Sequence, residues 1–140
     1  MEAQTFNFEL VSPEEKLISA PAKMVVIPGE EGDFGVLPNH SALVSSIRPG
    51  VIQIFVNDNE PPRRIFIAGG FADVTATSCT VLAEEAVEVK DLNQSDLEQT
   101  IRNLSEDLGM AASDADRARV QKKLTLAKAK LGAVTGRVVA

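Results

Sequence analysis

The residue usage of this chain changes abruptly at Val89. Up to that point short runs of Val, Ile and Phe are separated by proline and glycine. From Lys90 to Ala140 there is no proline, and Ala, Leu, Glu, Lys and Arg dominate. Proline interrupts a helix interior, and β-branched and aromatic residues fit a pleated surface better than a helical one. The two stretches therefore cannot share one kind of regular structure. The chain reads as a β half over residues 1–90 and a helical half over residues 91–140, an α+β protein that is mainly β.

In the β half, Phe6, Phe8 and Leu10 of 6-FNFEL-10 alternate with Asn7 and Glu9, the period of a strand with one buried face. Further runs follow at 24-MVVI-27, 51-VIQIFV-56, 65-IFIA-68, 71-FADVTA-76, 79-CTVLA-83 and 87-VEV-89. Turn signals separate them at Ser12-Pro13, Pro28-Gly29, Pro49-Gly50, Asn57-Asp58-Asn59, Pro61-Pro62 and Gly69-Gly70. Many short strands at this spacing predict a sandwich or barrel, with two packed sheets rather than one open sheet. Aromatic residues make up 4% of the sequence, with no Trp or Tyr, so the core has to be mainly aliphatic.

In the helical half, Ser95 and Glu98 match a Ser-x-x-Glu capping box. Leu97, Ile101, Leu104 and Leu108 then form one apolar stripe, and Gly109 offers a stop. A second start at Ser113 leads into Val120, Leu124, Ala127 and Leu131 at the same spacing. So short a connection predicts an antiparallel helical hairpin. These stripes cover little apolar surface against the cost of ordering the backbone, so the hairpin has to lean on the β half or on another protein. A permanently packed layer and a conditionally docked one both satisfy that requirement.

Candidate chemistry is sparse. The net charge of −6 argues against nucleic-acid binding, which needs clustered Lys and Arg. The start of the sequence shows no basic region followed by an apolar run, and no uncharged apolar stretch approaches the length of a membrane span, so no direct membrane insertion is expected. Cys79 is the one cysteine and sits in a strand-like run, which suits a small packed residue in a reducing compartment. There is no Cys-x-x-Cys, His-x-x-x-His, P-loop or Gly-x-Ser-x-Gly pattern, and neither a metal nor a cofactor is expected. Gly69-Gly70 lacks the third glycine or lysine of a phosphate loop and predicts a bulge or a close backbone approach. The stretch 32-GDFGVLPNHSALVSSIRPG-50 holds the only histidine, His40, with Asp33 as its local acidic partner. His40 reads either as a turn residue bonded to backbone or as a catalytic base, and a single histidine makes a poor metal site. In the helices, the basic run 117-RARVQKK-123 contrasts with Glu106-Asp107. It reads as pairing within the hairpin, or as a docking face for an acidic surface.

Taken together, 32-GDFGVLPNH-40 with 49-PG-50, 67-IAGGFADV-74, and 81-VLAEEAVEV-89 leading into the hairpin resemble the epsilon subunit of bacterial F-type ATP synthases, equivalent to the mitochondrial delta subunit. The order and spacing match along nearly the whole sequence; Ala42 stands where proline is usual, and Asp73 where glutamate is common. The resemblance implies an N-terminal ten-stranded β-sandwich followed by a C-terminal antiparallel α-helical hairpin, and a rotor component rather than an enzyme. It implies binding to the gamma subunit and to the c-subunit ring, at the cytoplasmic face of the bacterial inner membrane. Glu31, Asp33 and His40 are the residues it places beside the ring. The hairpin of many relatives contacts the alpha/beta catalytic head transiently and blocks ATP hydrolysis. Some bind a regulatory ATP through an Ile/Leu-Asp-x-x-Arg-Ala motif, which 113-SDADRA-118 matches at Asp114, Arg117 and Ala118. Ser113 replaces the aliphatic residue, and Leu124 stands where the pattern has an arginine. Ser113 and Asp114 also suit a helix start, as cap and as acidic residue at the positive end.

Overall fold

The structure, a computed structural model, describes residues 4–136. The chain divides into two compact units between Glu88 and Val89, each described by itself below.

The first unit contains β1 (Phe6–Val11), β2 (Lys16–Ala22), β3 (Met24–Gly29), β4 (Gly32–Val36), β5 (Leu43–Ile47), β6 (Gly50–Phe55), β7 (Arg63–Ile67), β8 (Gly70–Val74), β9 (Ser78–Ala83) and β10 (Ala86–Glu88). Their hydrogen-bonded order is β10-β7-β6-β3-β5-β8-β9-β1-β2, with β4 on the other side of β3. The two expected sheets are thus continuous through one corner. Met24 to Val26 of β3 pair with β6, whereas its far end pairs with β5 only through Gly29 and Ile47. Phe8 and Leu10 of β1, Val25 and Ile27 of β3, Ile52 of β6, Val74 of β8 and Val81 of β9 belong to a single buried cluster. Two layers closed over one core make the unit a sandwich.

Of the three strands that sequence patterning left out, β2 and β4 carry proline or glycine, and β5 carries two serines. Pro21 lies in β2, which is an edge strand and needs no backbone N–H there. A register shift between Leu10 and Val11 further obscures the β2 alternation. The stretch 32–50 is not a single turn. It runs the length of the sandwich along β4, turns over residues 37–42, and returns along β5.

The second unit opens with a single 3-10 turn, Val89–Asp91, followed by α1 (Gln94–Gly109) and α2 (Asp114–Thr135). The helices pack side by side as a hairpin. Leu97, Ile101, Leu104 and Leu108 form the half-buried side of α1, as their spacing predicts, and Leu124 and Ala127 of α2 are buried. The start of α1 differs from the expected capping box. Asn93 is the cap, accepting from the Asp96 N–H at 3.0 Å, so Ser95 lies inside the first turn. Asn caps as well as Ser, and the earlier start adds a further residue pairing, Gln94 to Glu98 at 3.0 Å. Met110, not Gly109, occupies the C-terminal cap.

Candidate functional site

At one end of the sandwich, Gly29 of β3 pairs with Gly32 of β4, leaving Glu30 and Glu31 as the tip of a tight hairpin. The tip is held from the β5 side: the Glu30 N–H donates to the Ser46 carbonyl at 3.0 Å, and the Arg48 N–H to the Pro28 carbonyl at 3.0 Å. The Arg48 guanidinium then spans the base of the hairpin. Its Nη1 donates to the Gly29 carbonyl at 2.5 Å, and its Nη2 pairs with the Asp33 carboxylate. Glu30 and Glu31 are exposed and have no ion-pair partner among the described residues. An open groove of about 490 Å³ runs beside the tip, with Phe34, Leu43 and Val44 as its apolar lining.

His40 lies at the opposite end. β4 carries the backbone from Asp33, beside Pro28, to Val36, beside Val25, and β5 returns it toward Gly29. The loop between them is fixed by backbone bonds: Asn39 N–H to the Ala76 carbonyl at 2.8 Å, and His40 N–H to the Leu37 carbonyl at 3.2 Å. Asn39 takes a left-handed φ of 67°, which asparagine tolerates better than most residues. The His40 Nδ1 lies 2.7 Å from the Ser41 carbonyl, which can only accept, so Nδ1 carries the proton. The turn reading of His40 accounts for these contacts. Glu31 and Asp33 are brought together, but His40 is not brought to them, so the local pairing of Asp33 with His40 does not form. Among the described residues no group of three or more His, Cys, Asp or Glu is placed to hold a metal.

A third feature is an apolar strip on the outer face of the sheet formed by β5, β8, β9, β1 and β2. Phe71 and Leu82 stand opposite each other across β8 and β9, 56% and 52% exposed, and Val11 of β1 pairs with Leu82. Val44, 71% exposed, lies diagonally beside Phe71. Val11, Pro13, Phe71 and Leu82 line a groove of about 300 Å³. Arg48 and this strip were not among the sequence candidates. The strip had a signal: in 79-CTVLA-83 the inward phase is Cys79, Val81 and Ala83, so Leu82 sits in the phase that solvent-facing Thr80 marks as polar. Inside, burial and then the Asp73 carboxylate push the Cys79 thiol up from 9.0 to about 12, so it stays protonated and inert at neutral pH. The Gly69-Gly70 pair is a close backbone approach, as its sequence suggests: Gly70, at φ 151°, lies against the Leu82 carbonyl.

On the hairpin, the Ser113 hydroxyl accepts from the Asp116 N–H at 3.1 Å and caps α2. The two matched residues of the nucleotide motif, Asp114 and Arg117, pair with each other at 3.0 Å. Arg119 pairs with Asp116 at 3.3 Å, so both arginines of the basic run are neutralised one turn back on their own helix. Leu124, where the pattern has its arginine, is 4% exposed. The matched positions therefore supply one cation, already paired.

Comparison with known proteins covers nearly the whole sequence. Residues 5–89 match the family described as "ATP synthase, Delta/Epsilon chain, beta-sandwich domain", and residues 93–140 match the family of the C-terminal domain of the ATP synthase epsilon chain. The ATP synthase epsilon chain of Rhodospirillum centenum is 49% identical over 134 residues, covering 92% of this chain and 91% of that relative. The epsilon chain of Rhodospirillum rubrum is 45% identical, covering 96% of this chain and 99% of the relative. Among solved structures, a subunit of the Euglena gracilis mitochondrial ATP synthase (OSCP/F1/c-ring) has the same fold. Its TM-score is 0.79 at 21% identity, over 92% of this chain and 80% of that one. The β-sandwich followed by a helical hairpin, and two family matches in that order, place this chain in the ATP synthase epsilon chain family.

Proposed function

We propose that this chain is a non-catalytic rotor component of the central stalk of a proton-driven ATP synthase, passing the rotation of a membrane ring to catalytic sites on other subunits. The observation that carries this reading is the exposed Phe71–Leu82 strip, a face that a lone soluble unit has no reason to leave open. The strip is the docking face for the gamma subunit. The acidic end, with Glu31 and Asp33, meets the polar loops of the c-subunit ring, where a carboxylate suits a basic loop residue. His40, at the far end, reaches the ring only if that contact runs the length of β4. The Euglena relative belongs to an assembly of F1 and c-ring, which supports the placement. Attachment at the cytoplasmic face of the inner membrane is through gamma and the ring; among the described residues no helix is long and apolar enough to cross a membrane. Cysteine cross-linking tests the ring contact: Asp33→Cys should join to a cysteine in the ring loop of the assembled enzyme. Absence of that product would place the acidic end elsewhere.

The hairpin serves as a brake on ATP hydrolysis through transient contact with the alpha/beta head. Supporting this, α1 buries no residue fully, and among the described residues α2 buries only Leu124, Ala127 and Ala133. Segments with so few buried contacts lie at the low-stability end of a protein and are the ones that move. A regulatory nucleotide on the hairpin would have to break the Asp114–Arg117 pair. Truncation after Lys90 is expected to raise hydrolysis severalfold with assembly intact; unchanged hydrolysis assigns the brake to another component.

A further inference from the structure

We propose that Arg48 tunes docking at the acidic end by competing, from within the same subunit, for the Asp33 carboxylate; this rests on the reading that the acidic end meets a basic ring loop. Arg48 is fixed at its backbone by the bond to Pro28, and its planar fork reaches both strands of the hairpin, Gly29 on β3 and Asp33 on β4. Lysine, a point charge, does not span two acceptors in this way. The pair is open to solvent, with the Arg48 side chain 43% and the Asp33 side chain 61% exposed. Exposed ion pairs are weakly held, so Asp33 exchanges partners readily. At the hairpin tip itself, three carboxylates, on Glu30, Glu31 and Asp33, face the one guanidinium of Arg48. A cationic group docking there finds the Asp33 carboxylate occupied and a like charge beside it. Arg48 therefore weakens the attraction and leaves Glu30 and Glu31 as the unpaired acceptors. Contact with the ring then proceeds by partner exchange at Asp33 rather than by simple addition.

The test titrates the full-length protein against a rotor assembly of gamma and ring prepared without it, at about 50 mM and about 500 mM salt, where screening is weak and strong respectively. Arg48→Gln keeps an amide donor for the Gly29 carbonyl and removes the charge. It is expected to tighten binding about two- to fivefold at low salt, and to match the wild type at high salt. Asp33→Asn should weaken binding at low salt, and the double variant should lose most of the gain because Arg48 acts through Asp33. Arg48→Lys, which keeps the charge, should stay within about twofold of the wild type. Unchanged or weaker binding by Arg48→Gln, or a gain that persists in full without Asp33, overturns the proposal. If Asp33→Asn leaves binding unchanged at both salts, it is instead the ring-contact reading that fails. A merely structural role for Arg48 would alter thermal stability without altering the salt dependence.

Discussion

Gly70→Ala is expected to destabilise the β unit by about 3–5 kcal/mol, enough to lower its melting temperature by roughly 15 °C or more. A β-carbon on Gly70 would lie 1.9 Å from the Leu82 carbonyl oxygen, 2.9 Å from its carbon and 3.1 Å from the Ala83 Cα. All three are backbone atoms of β9, so no side-chain rotation relieves the clash. The φ of 151° adds a conformational penalty that only glycine escapes. The position matters because Gly70 pairs with both Ile47 and Ala83 at the end of the sandwich where β3 hands over to β5. Displacing β9 there disturbs the corner that makes one strand path into two layers. Gly35→Ala is the control: it lies in β4, has nothing within 4 Å of the added carbon, and should leave the melting temperature within a few degrees. Thermal unfolding followed by circular dichroism reads both variants. A Gly70→Ala protein as stable as the Gly35→Ala one would mean the two strands are not in such close contact.

The same corner explains what could and could not be read from the sequence. Where one face of a strand is buried and the other wet, alternation announces it, and Phe6, Phe8 and Leu10 lie in the core as their spacing requires. The helical stripes were legible for the same reason. β4 and β5 were not, because Gly35 separates the two inward residues of β4, Phe34 and Val36, and in β5 serine takes the inward position 45 while Leu43 and Val44 stand exposed side by side. Neighbouring prolines and glycines then make the whole stretch look like a turn. The separation of Asp33 from His40 follows from that misreading, since seven residues of loop would keep them together whereas a strand carries them apart. The strand rise from Asp33 to Val36 alone spans about 10 Å. The Arg48–Asp33 contact was out of reach for another reason. It joins residues 15 apart, and only the fold-back of β5 onto Gly29 brings them into register. The α1 start shows a smaller limit: Asn93 and Ser95 are comparable caps, and local sequence gives no means of choosing between them.

The Phe71→Ala/Leu82→Ala variant is expected to weaken association with gamma about 10- to 150-fold while leaving the β unit folded. Each side chain is already half covered by its own sheet, so docking removes the remaining half from water. Full burial of such a residue is worth about 1.5–3 kcal/mol, so half of it for two residues comes to about 1.5–3 kcal/mol. That difference in binding free energy corresponds to the stated range. The fold survives because the core-facing phase of both strands, Ala72 and Val74 on β8 and Cys79, Val81 and Ala83 on β9, is untouched. Titrating gamma against the full-length protein reads the affinity, and the melting temperature reads the fold. The variant also separates this face from the acidic end. Its loss should persist at high salt, because apolar burial is not screened, whereas the effects of Asp33 and Arg48 should fade there. Affinity within about threefold of the wild type, below about 1 kcal/mol, would remove gamma from this face. In that case the half-exposed pair of Phe71 and Leu82 must be covered by some other component of the synthase.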